Sequence, residues 1–351
     1  MAEEKSVEAT PKASPPPPDP AGVALDVGTM FCVSARQKGS GVELKKLRNV
    51  FLELDKDAQR LLKLSKVNFI QKDDSVILLG DDALSVANLF NKEVRRPLNK
   101  GVISPTELDA VDVLSTIFSQ LVGKPKVDKE VCYYSVPANP LDADYNVIYH
   151  QAVIGRILTD ILKFNAKPMN EATAVVYSNC QTEGFSGIGI SFGAGMTNVA
   201  LCWKTISPIQ FSVARGGDWI DHNSAKATGG TASKLASIKE KGLNLLDYQS
   251  GNPSEVRFRE ALMVHYKSLI LYVLDNFVEE FKKCQQTITL PEPIPIVISG
   301  GTSLAGGFVE LFKEALAGFK GFPVEVSEVR HATNPLCSVA EGLLVAALSE
   351  G

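Results

Sequence analysis

No stretch of this 351-residue chain carries a dense run of Lys or Arg, and its formal net charge is −4. Nothing is therefore arranged to neutralise a row of phosphates, which excludes nucleic acid as an obligatory partner. The six cysteines (Cys32, Cys132, Cys180, Cys202, Cys284, Cys337) form no Cys-x-x-Cys pair, and no His stands at zinc-finger spacing. A structural zinc site and a dithiol redox centre are thereby removed. Four of the six sit among apolar neighbours, as buried thiols do in a reducing compartment. The N-terminus lacks the basic-then-apolar pattern of a secretory leader. No apolar run reaches membrane-spanning length; the richest, residues 268–281, is interrupted by Asp275, Asn276, Glu279 and Glu280. Neither the Walker A pattern nor Gly-x-Gly-x-x-Gly occurs, so neither of those phosphate-binding solutions is used.

Apolar residues make up 45% of the chain and charged residues 22%, enough for one large or two medium domains with a sizeable core. Residues 1–22 are polar, acidic and proline-rich, with four consecutive prolines at 15–18, and are expected to stay disordered or extended. Residues 23–35 (VALDVGTMFCVSA) read as strand, tight turn and strand, with Asp26, Gly28 and Thr29 at the bend. Residues 189–203 (GISFGAGMTNVALCW) repeat the design, Leu25-Asp26-Val27-Gly28 aligning with Ile190-Ser191-Phe192-Gly193. The repeat points to a duplicated α/β fold that closes on a phosphate from both sides. Its second copy has lost the acid.

Strand patterns follow over 42–50, 67–70 and 75–79, the last two flanking a turn at 72–74. Residues 51–64 are amphipathic, and 80–89 read as a short helix. Ser104, Pro105 and Glu107 together supply the start signal for a helix running to about residue 122. A buried strand at 130–136, a helix at 142–162 and a turn at 167–170 opening a helix to 178 come next. Beyond the second hairpin the pattern reads as strand 206–213, helix 219–228, helix 232–241 and a long helix 254–286. Strand 296–298, helix 304–317, strand 323–326 and helix 336–348 complete the chain. Strand, helix, strand spacing of this kind indicates a mainly parallel sheet.

Four glycine-bearing turns carry the candidate chemistry. A glycine lets backbone N–H groups approach a phosphate, and a hydroxyl adds a donor. Gly28 and Thr29 supply this in the first hairpin, and Gly193, Ala194, Gly195, Met196 and Thr197 form the second. Gly216-Gly217-Asp218 and Gly300-Gly301-Thr302-Ser303 each lead into a helix, whose N-terminal dipole favours an anion. Asp26 would hold a magnesium ion through water. Glu171 follows Asn170 at a helix start, where it serves equally well as a dipole-stabilising first-turn acid.

In this order and spacing the elements resemble the actin / heat-shock-chaperone / sugar-kinase ATPase superfamily, and within it the bacterial rod-shape-determining MreB-type actin homologues. The resemblance spans about residues 23–348 and rests on DVGT, RPLNKGVIS, SVPAN, NEATA, FGAGMTNVAL, ARGGDWID, ISGGTSLAGGF and NPLCSVAEGLLVA taken together. It implies a duplicated actin-like, ribonuclease H-like fold with two lobes around a nucleotide cleft. Lobe I would cover 23–166 with a small subdomain at about 42–94, lobe II 167–332, and 333–351 would return to lobe I. It also implies ATP and Mg2+ as cofactors. Asp26, Gly28, Thr29 and Met30 match the first phosphate loop, Gly193 to Thr197 the second, and Gly216, Gly217 and Asp218 the loop before the ribose-side helix. Ser233 and Lys234 stand on the helix that helps hold the adenine in relatives, without the usual acid-and-lysine pattern; Gly300 to Ser303 match the adenosine loop. Glu171 matches the acid that positions the attacking water in phosphoryl transfer. Two departures concern the second loop: Ser191 replaces the usual second metal-water acid, and Met196 a common threonine. Weak metal retention and slow ATP hydrolysis are the implied result, with nucleotide binding better preserved.

The implied function is a cytoplasmic cytoskeletal protein that assembles head-to-tail into nucleotide-dependent filaments. The alternative is a non-filamentous actin-fold adaptor that binds ATP and docks a membrane-protein tail in division or pilus assembly. Either could sit at the inner face of the membrane through an internal apolar loop. A small-molecule kinase is disfavoured by the lack of a substrate-binding insertion, and a peptide-binding chaperone by the lack of a domain after Leu348.

Overall fold

A computed structural model describes residues 21–64, 67, 69–72, 74–90, 92–250, 252–284 and 289–350. The proline-rich tail expected over 1–22 lies outside these save its last two residues, and Gly22 N donates to Glu130 Oε1 at 3.1 Å.

The chain opens with three antiparallel strands, β1 (Val23–Val27), β2 (Phe31–Lys38) and β3 (Gly41–Arg48). A small antiparallel sheet follows, built from β4 (Phe51–Asp55), β5 (Phe69–Lys72) and β6 (Ser75–Leu79), with α1 (Gln59–Leu64) and α2 (Gly80–Leu89) beside it. A short hairpin of β7 (Leu98–Asn99) and β8 (Val102–Ile103) precedes α3 (Ala110–Val122). Next come β9 (Val131–Val136), α4 (Val147–Arg156), β10 (Asn165–Asn170) and α5 (Glu171–Asn179).

The second half begins with another antiparallel trio, β11 (Gly187–Phe192), β12 (Thr197–Trp203) and β13 (Ile206–Val213). After α6 (Gly217–Thr228), α7 (Ala232–Glu240) and the long α8 (Val256–Cys284) come β14 (Ile294–Ser299), α9 (Phe308–Ala317), β15 (Val326–His331) and α10 (Ser338–Ser349). The two five-stranded sheets have orders β10-β9-β1-β2-β3 and β15-β14-β11-β12-β13. In each, a meander of three strands is extended from its first strand by two parallel ones. The duplication read from two hairpins is a duplication of whole sheets.

Each sheet packs its outer face on helices: β1 and β9 share a core with α3, while β11 and β14 share one with α8 and α9. Between the sheets lie α5 and α10, in a third core of small residues that draws on β1, β2, β12 and β14. There Gly342 of α10 comes so close to α5 that a Cβ would sit 1.8 Å from Ala174 O. Only glycine allows that crossing.

Several element boundaries differ from the sequence expectation, each for a tertiary reason. Residues 51–64 begin as a strand because β4 pairs with β6, pass through a 3-10 turn at Lys56–Ala58 and become α-helical only at Gln59. The helix expected from Ser104 starts at Ala110, because the Glu107 carboxylate pairs with Arg95 instead of reaching back as a cap. The helix expected from residue 142 starts at Val147 behind the Asn146 cap, Asp142 being used to accept from Ala214 N at 2.7 Å. Residues 167–170 are a strand, not a turn, and β10 runs past the boundary expected at 166 to stay in the first sheet. The motif 300–303 opens a short 3-10 turn, and α9 waits until Phe308. The last strand lies at Val326–His331 rather than 323–326; it is a sheet edge with one buried side chain, Val329, so its apolar signal is weak. Among the stretches expected to form elements, Asn68, Asp73, Gln285 and Gln286 lie outside the described residues.

Candidate functional site

The two repeated hairpins face each other across a cleft of about 690 Å³. Each closes in the same way: Gly28 N donates to Phe31 O at 3.1 Å, and Gly193 N to Met196 O at 2.9 Å, leaving two-residue turns at Thr29-Met30 and Ala194-Gly195. Two carbonyls of each turn are tied back by hydrogen bonds. Asn49 donates from Nδ2 to Gly28 O (3.0 Å) and from its backbone to Met30 O (2.9 Å). Opposite, Gly193 O accepts from Gly217 N (3.0 Å) and Thr302 Oγ1 (2.8 Å), and Ala194 O from Asp218 N (2.9 Å). Among the described residues no acceptor meets the amides of Thr29, Met30, Ala194 or Gly195. A paired set of backbone donors of this kind suits an anion between the turns.

The turns also touch. Thr29 Oγ1 accepts from Gly101 N at 3.1 Å, and a Cβ on Gly195 would stand 2.6 Å from that oxygen and 2.4 Å from Gly101 N. Glycine at 195 is what lets the lobes meet.

Asp26 and Glu171 reach the cleft wall behind the turns. Asp26 Oδ1 accepts from Ser135 Oγ at 2.8 Å, while burial raises its carboxyl to about 6. Burial first and the Asp26 charge second push Glu171 to about 8, against hydrogen bonds from Asn198 and Ser191 that lower it. Both shifts run toward the neutral acid, the larger on Glu171, because burial disfavours charge on each carboxyl and the two disfavour each other's charge. Glu171 opens α5, whose Asn170 cap accepts from the amides of Ala172 (2.9 Å) and Thr173 (3.2 Å). Its role as a first-turn acid and its exposure to the cleft coexist.

Of the residues expected at the site, Asp26, Gly28, Thr29, Met30, Glu171, Gly193, Ala194, Gly195, Met196, Gly217, Asp218, Gly300, Gly301 and Thr302 line the cleft. Thr197, Gly216, Ser233, Lys234 and Ser303 do not. Thr197 lies one strand position past the turn and gives its hydroxyl to Arg215 O at 2.8 Å, so the second turn offers backbone donors only. Met196 is mostly core, clustered with Val102 and Val147. Gly216 packs behind the second turn, where a Cβ would meet the carbonyl oxygens of Gly193 and Ala194 at 2.6 Å. Ser303 Oγ is spent on Gly300 O (2.7 Å) and His331 Nε2 (2.8 Å). Ser233 and Lys234 lie in the first turn of α7, Lys234 over the Phe258 ring, whereas the helix reaches the cleft a turn later through Ala236, Lys239 and Glu240.

Sequence reasoning missed the cations of the site. Lys46 and Arg48, two apart on β3, both lie over the Phe31 ring and line the cleft. Arg96 pairs with Asp218 across the lobes at 2.8 Å. At the other end Lys239 holds Asp221 Oδ2 at 2.7 Å, and Asp221 Oδ1, buried in the cleft wall, has no partner among the described residues. Alternation along β3 was the one available signal for Lys46 and Arg48.

These residues fit a nucleotide. The glycine turns form a cradle for phosphates, and the orphaned Asp221 oxygen would accept a hydrogen bond from a sugar hydroxyl or a base amine. No cluster of three or more metal-ligating side chains occurs among the described residues. A magnesium ion held by Asp26 would thus take its remaining ligands from water and phosphate, as that ion commonly does. Among the described residues no helix is long and apolar enough to cross a membrane.

The fold is that of the actin-like superfamily. A structure titled "MamK double helical filament" matches with a TM-score of 0.69 at 19% identity, over 94% of this chain and 98% of that one. A non-polymerising point mutant of MamK bound to AMPPNP matches with a TM-score of 0.57 at 18% identity, over 94% and 99%. The ethanolamine utilization protein EutJ from Carboxydothermus hydrogenoformans matches with a TM-score of 0.53 at 15% identity, over 94% and 91%. No curated protein matches in sequence. The family model described as Volactin matches residues 22–347, and the chain belongs to the Volactin family.

Proposed function

We propose that this protein is an actin-like, ATP-binding cytoskeletal protein that assembles head-to-tail into filaments in response to nucleotide. The observation that carries the reading is the pair of facing hairpin turns, each with two carbonyls tied back and its central amides left for an anion. The triphosphate would lie between Thr29-Met30 and Ala194-Gly195, and the nucleoside would run toward Lys239, Glu240, Tyr266 and residues 300–302. Bound magnesium would supply charge neutralisation at the phosphates. Asp26 would orient its water shell, and Glu171, held by Asn198, would orient the attacking water. Ser191 in place of a second acid supports slow hydrolysis: it bonds Glu171 but brings no charge.

The filament part of the reading draws on the MamK likeness in fold, since one of those structures is a double-helical filament and another a non-polymerising mutant holding AMPPNP. Heterologous contacts that do not close into a ring propagate as a filament. The location proposed is the cytoplasm, with attachment at the inner membrane through a protein partner. Sedimentation and negative-stain microscopy of the purified chain with ATP, ADP or neither test the proposal. Pelleting and visible filaments with ATP are expected. A chain that binds ATP yet stays monomeric at every concentration would overturn the filament reading.

A further inference from the structure

The Arg96–Asp218 pair roofs the phosphate end of the cleft. Arg96 Nη1 donates to Asp218 Oδ2 at 2.8 Å, and the two residues are 122 positions apart on opposite lobes. Each end of the bridge rests on one hairpin turn. Arg96 Nη2 lies 3.8 Å from Met30 Sδ, and the Asp218 amide donates to Ala194 O at 2.9 Å. Both residues line the same cleft as the two turns.

The neighbouring cations are differently committed. Arg48 reaches the same Met30 sulfur at 3.4 Å, but its Nε is held by Asp81 at 2.9 Å within its own lobe. Lys46 lies over Phe31. Arg96 is the cleft cation whose acid partner belongs to the facing lobe, and that partner is partly exposed and replaceable. A guanidinium fork binds phosphate oxygens in pairs, and the terminal phosphate carries more charge than one carboxylate. With Ser191 in place of an acid, the second turn cannot anchor a metal, so more of the neutralisation falls on such cations.

We propose that Arg96 distinguishes nucleoside triphosphate from diphosphate, exchanging Asp218 for the outermost phosphate so that the bound nucleotide replaces the ion pair as the tie between lobes. This rests on the nucleotide-binding reading above. The test is equilibrium titration of the full chain with ATP and with ADP, both with magnesium, in the wild type, R96A, R96K and D218N, with thermal melting to verify folding. R96A is expected to lower the ATP-to-ADP affinity ratio about tenfold while leaving ADP affinity near wild type. R96K, which keeps the charge but loses the fork, should fall between. D218N should raise ATP affinity roughly two- to fivefold by releasing Arg96 from an exposed pair. If R96A and D218N weaken both nucleotides equally, the pair is only a lobe tie and the inference fails. The same holds if wild type binds both nucleotides and R96A or R96K keeps its ratio. A wild type that binds neither nucleotide would overturn the nucleotide reading itself, and this inference with it. Should R96A not fold, R96K and D218N decide the question alone.

Discussion

Asn198 holds Glu171 from the facing sheet: its Nδ2 donates to Glu171 Oε2 at 3.0 Å, while its Oδ1 accepts from the Ala138 amide at 3.0 Å. One buried amide on β12 thus aims the cleft acid and ties the lobe II sheet to the segment leaving β9. N198A should cost about 1–2 kcal/mol of stability through the two lost hydrogen bonds. Phosphate release should fall more than ATP affinity, because Glu171 is left unaimed while the turns stay intact. Comparable loss of binding and turnover would show that Asn198 serves only the fold.

Ser191→Asp places a third carboxyl beside Asp26 and Glu171, where burial already disfavours charge. Without ligand the variant should be less stable by on the order of 3 kcal/mol. Magnesium with ATP should restore much of that loss, since a ligand that binds only the folded state stabilises it. Differential scanning fluorimetry with and without Mg·ATP reads both effects. An unchanged melting temperature in both conditions would show that residue 191 does not share the acid pocket.

Gly195 and Gly342 separate binding from folding. In G195A the new Cβ meets Gly101 N and Thr29 Oγ1 across the lobes, so nucleotide affinity should fall about tenfold or more, with a smaller loss of stability than in G342A because the lobes can part at the turn. In G342A the Cβ meets Ala174 O inside the α5–α10 crossing, so stability should fall by roughly 3 kcal/mol. Calorimetric titration should single out G195A, and urea unfolding should show the larger loss in G342A.

His150 gives the fold an acid limit. It is buried, its Nδ1 accepts from Ile103 N at 3.2 Å, and burial lowers its pKa to about 4. Between about pH 6.5 and 4 the unfolded chain takes up a proton that the folded state refuses, so stability falls as pH falls. The loss should reach roughly 3 kcal/mol near pH 4, and H150Q should flatten that slope in urea unfolding at pH 7.5, 5.5 and 4.5. Glu171 acts with the opposite sign over an overlapping window: its raised carboxyl keeps a proton when folded, so its contribution is lost as pH rises from about 4.5 to about 8. E171Q should remove that opposing slope, leaving stability to rise more steeply from about pH 4.5 to 7.5 than in the wild type.

Most of the cleft was legible before the structure because hairpin turns are local objects. Strand alternation on either side of Gly28 and Gly193 locates both turns, and the match between them reveals the duplication. The cap at Asn170 was equally local, and so was the length of α2. Side-chain direction was not. Thr197 and Ser303 have suitable hydroxyls in suitable motifs, yet Thr197 is turned to Arg215 O and Ser303 to Gly300 O and His331 Nε2, and Arg215 and His331 are brought there only by the packed lobe. Ser233 and Lys234 were misplaced by a single helical turn, because the register of α7 against the cleft depends on how Leu235 and Ile238 bury.

Two halves built on one plan, each with a strand-turn-strand clasp and an acid kept in only the first, follow from residue order alone, since period-two alternation and glycine turns act over a few residues. The cations facing the phosphates, the Asp221–Lys239 pair and the Arg96–Asp218 bridge belong to the assembled lobes. An ion pair between residues 122 positions apart exists only once two sheets and the two helices between them have packed. Coulombic and hydrogen-bond energies depend on that final separation and on the water it excludes, neither of which is encoded in any short stretch of chain.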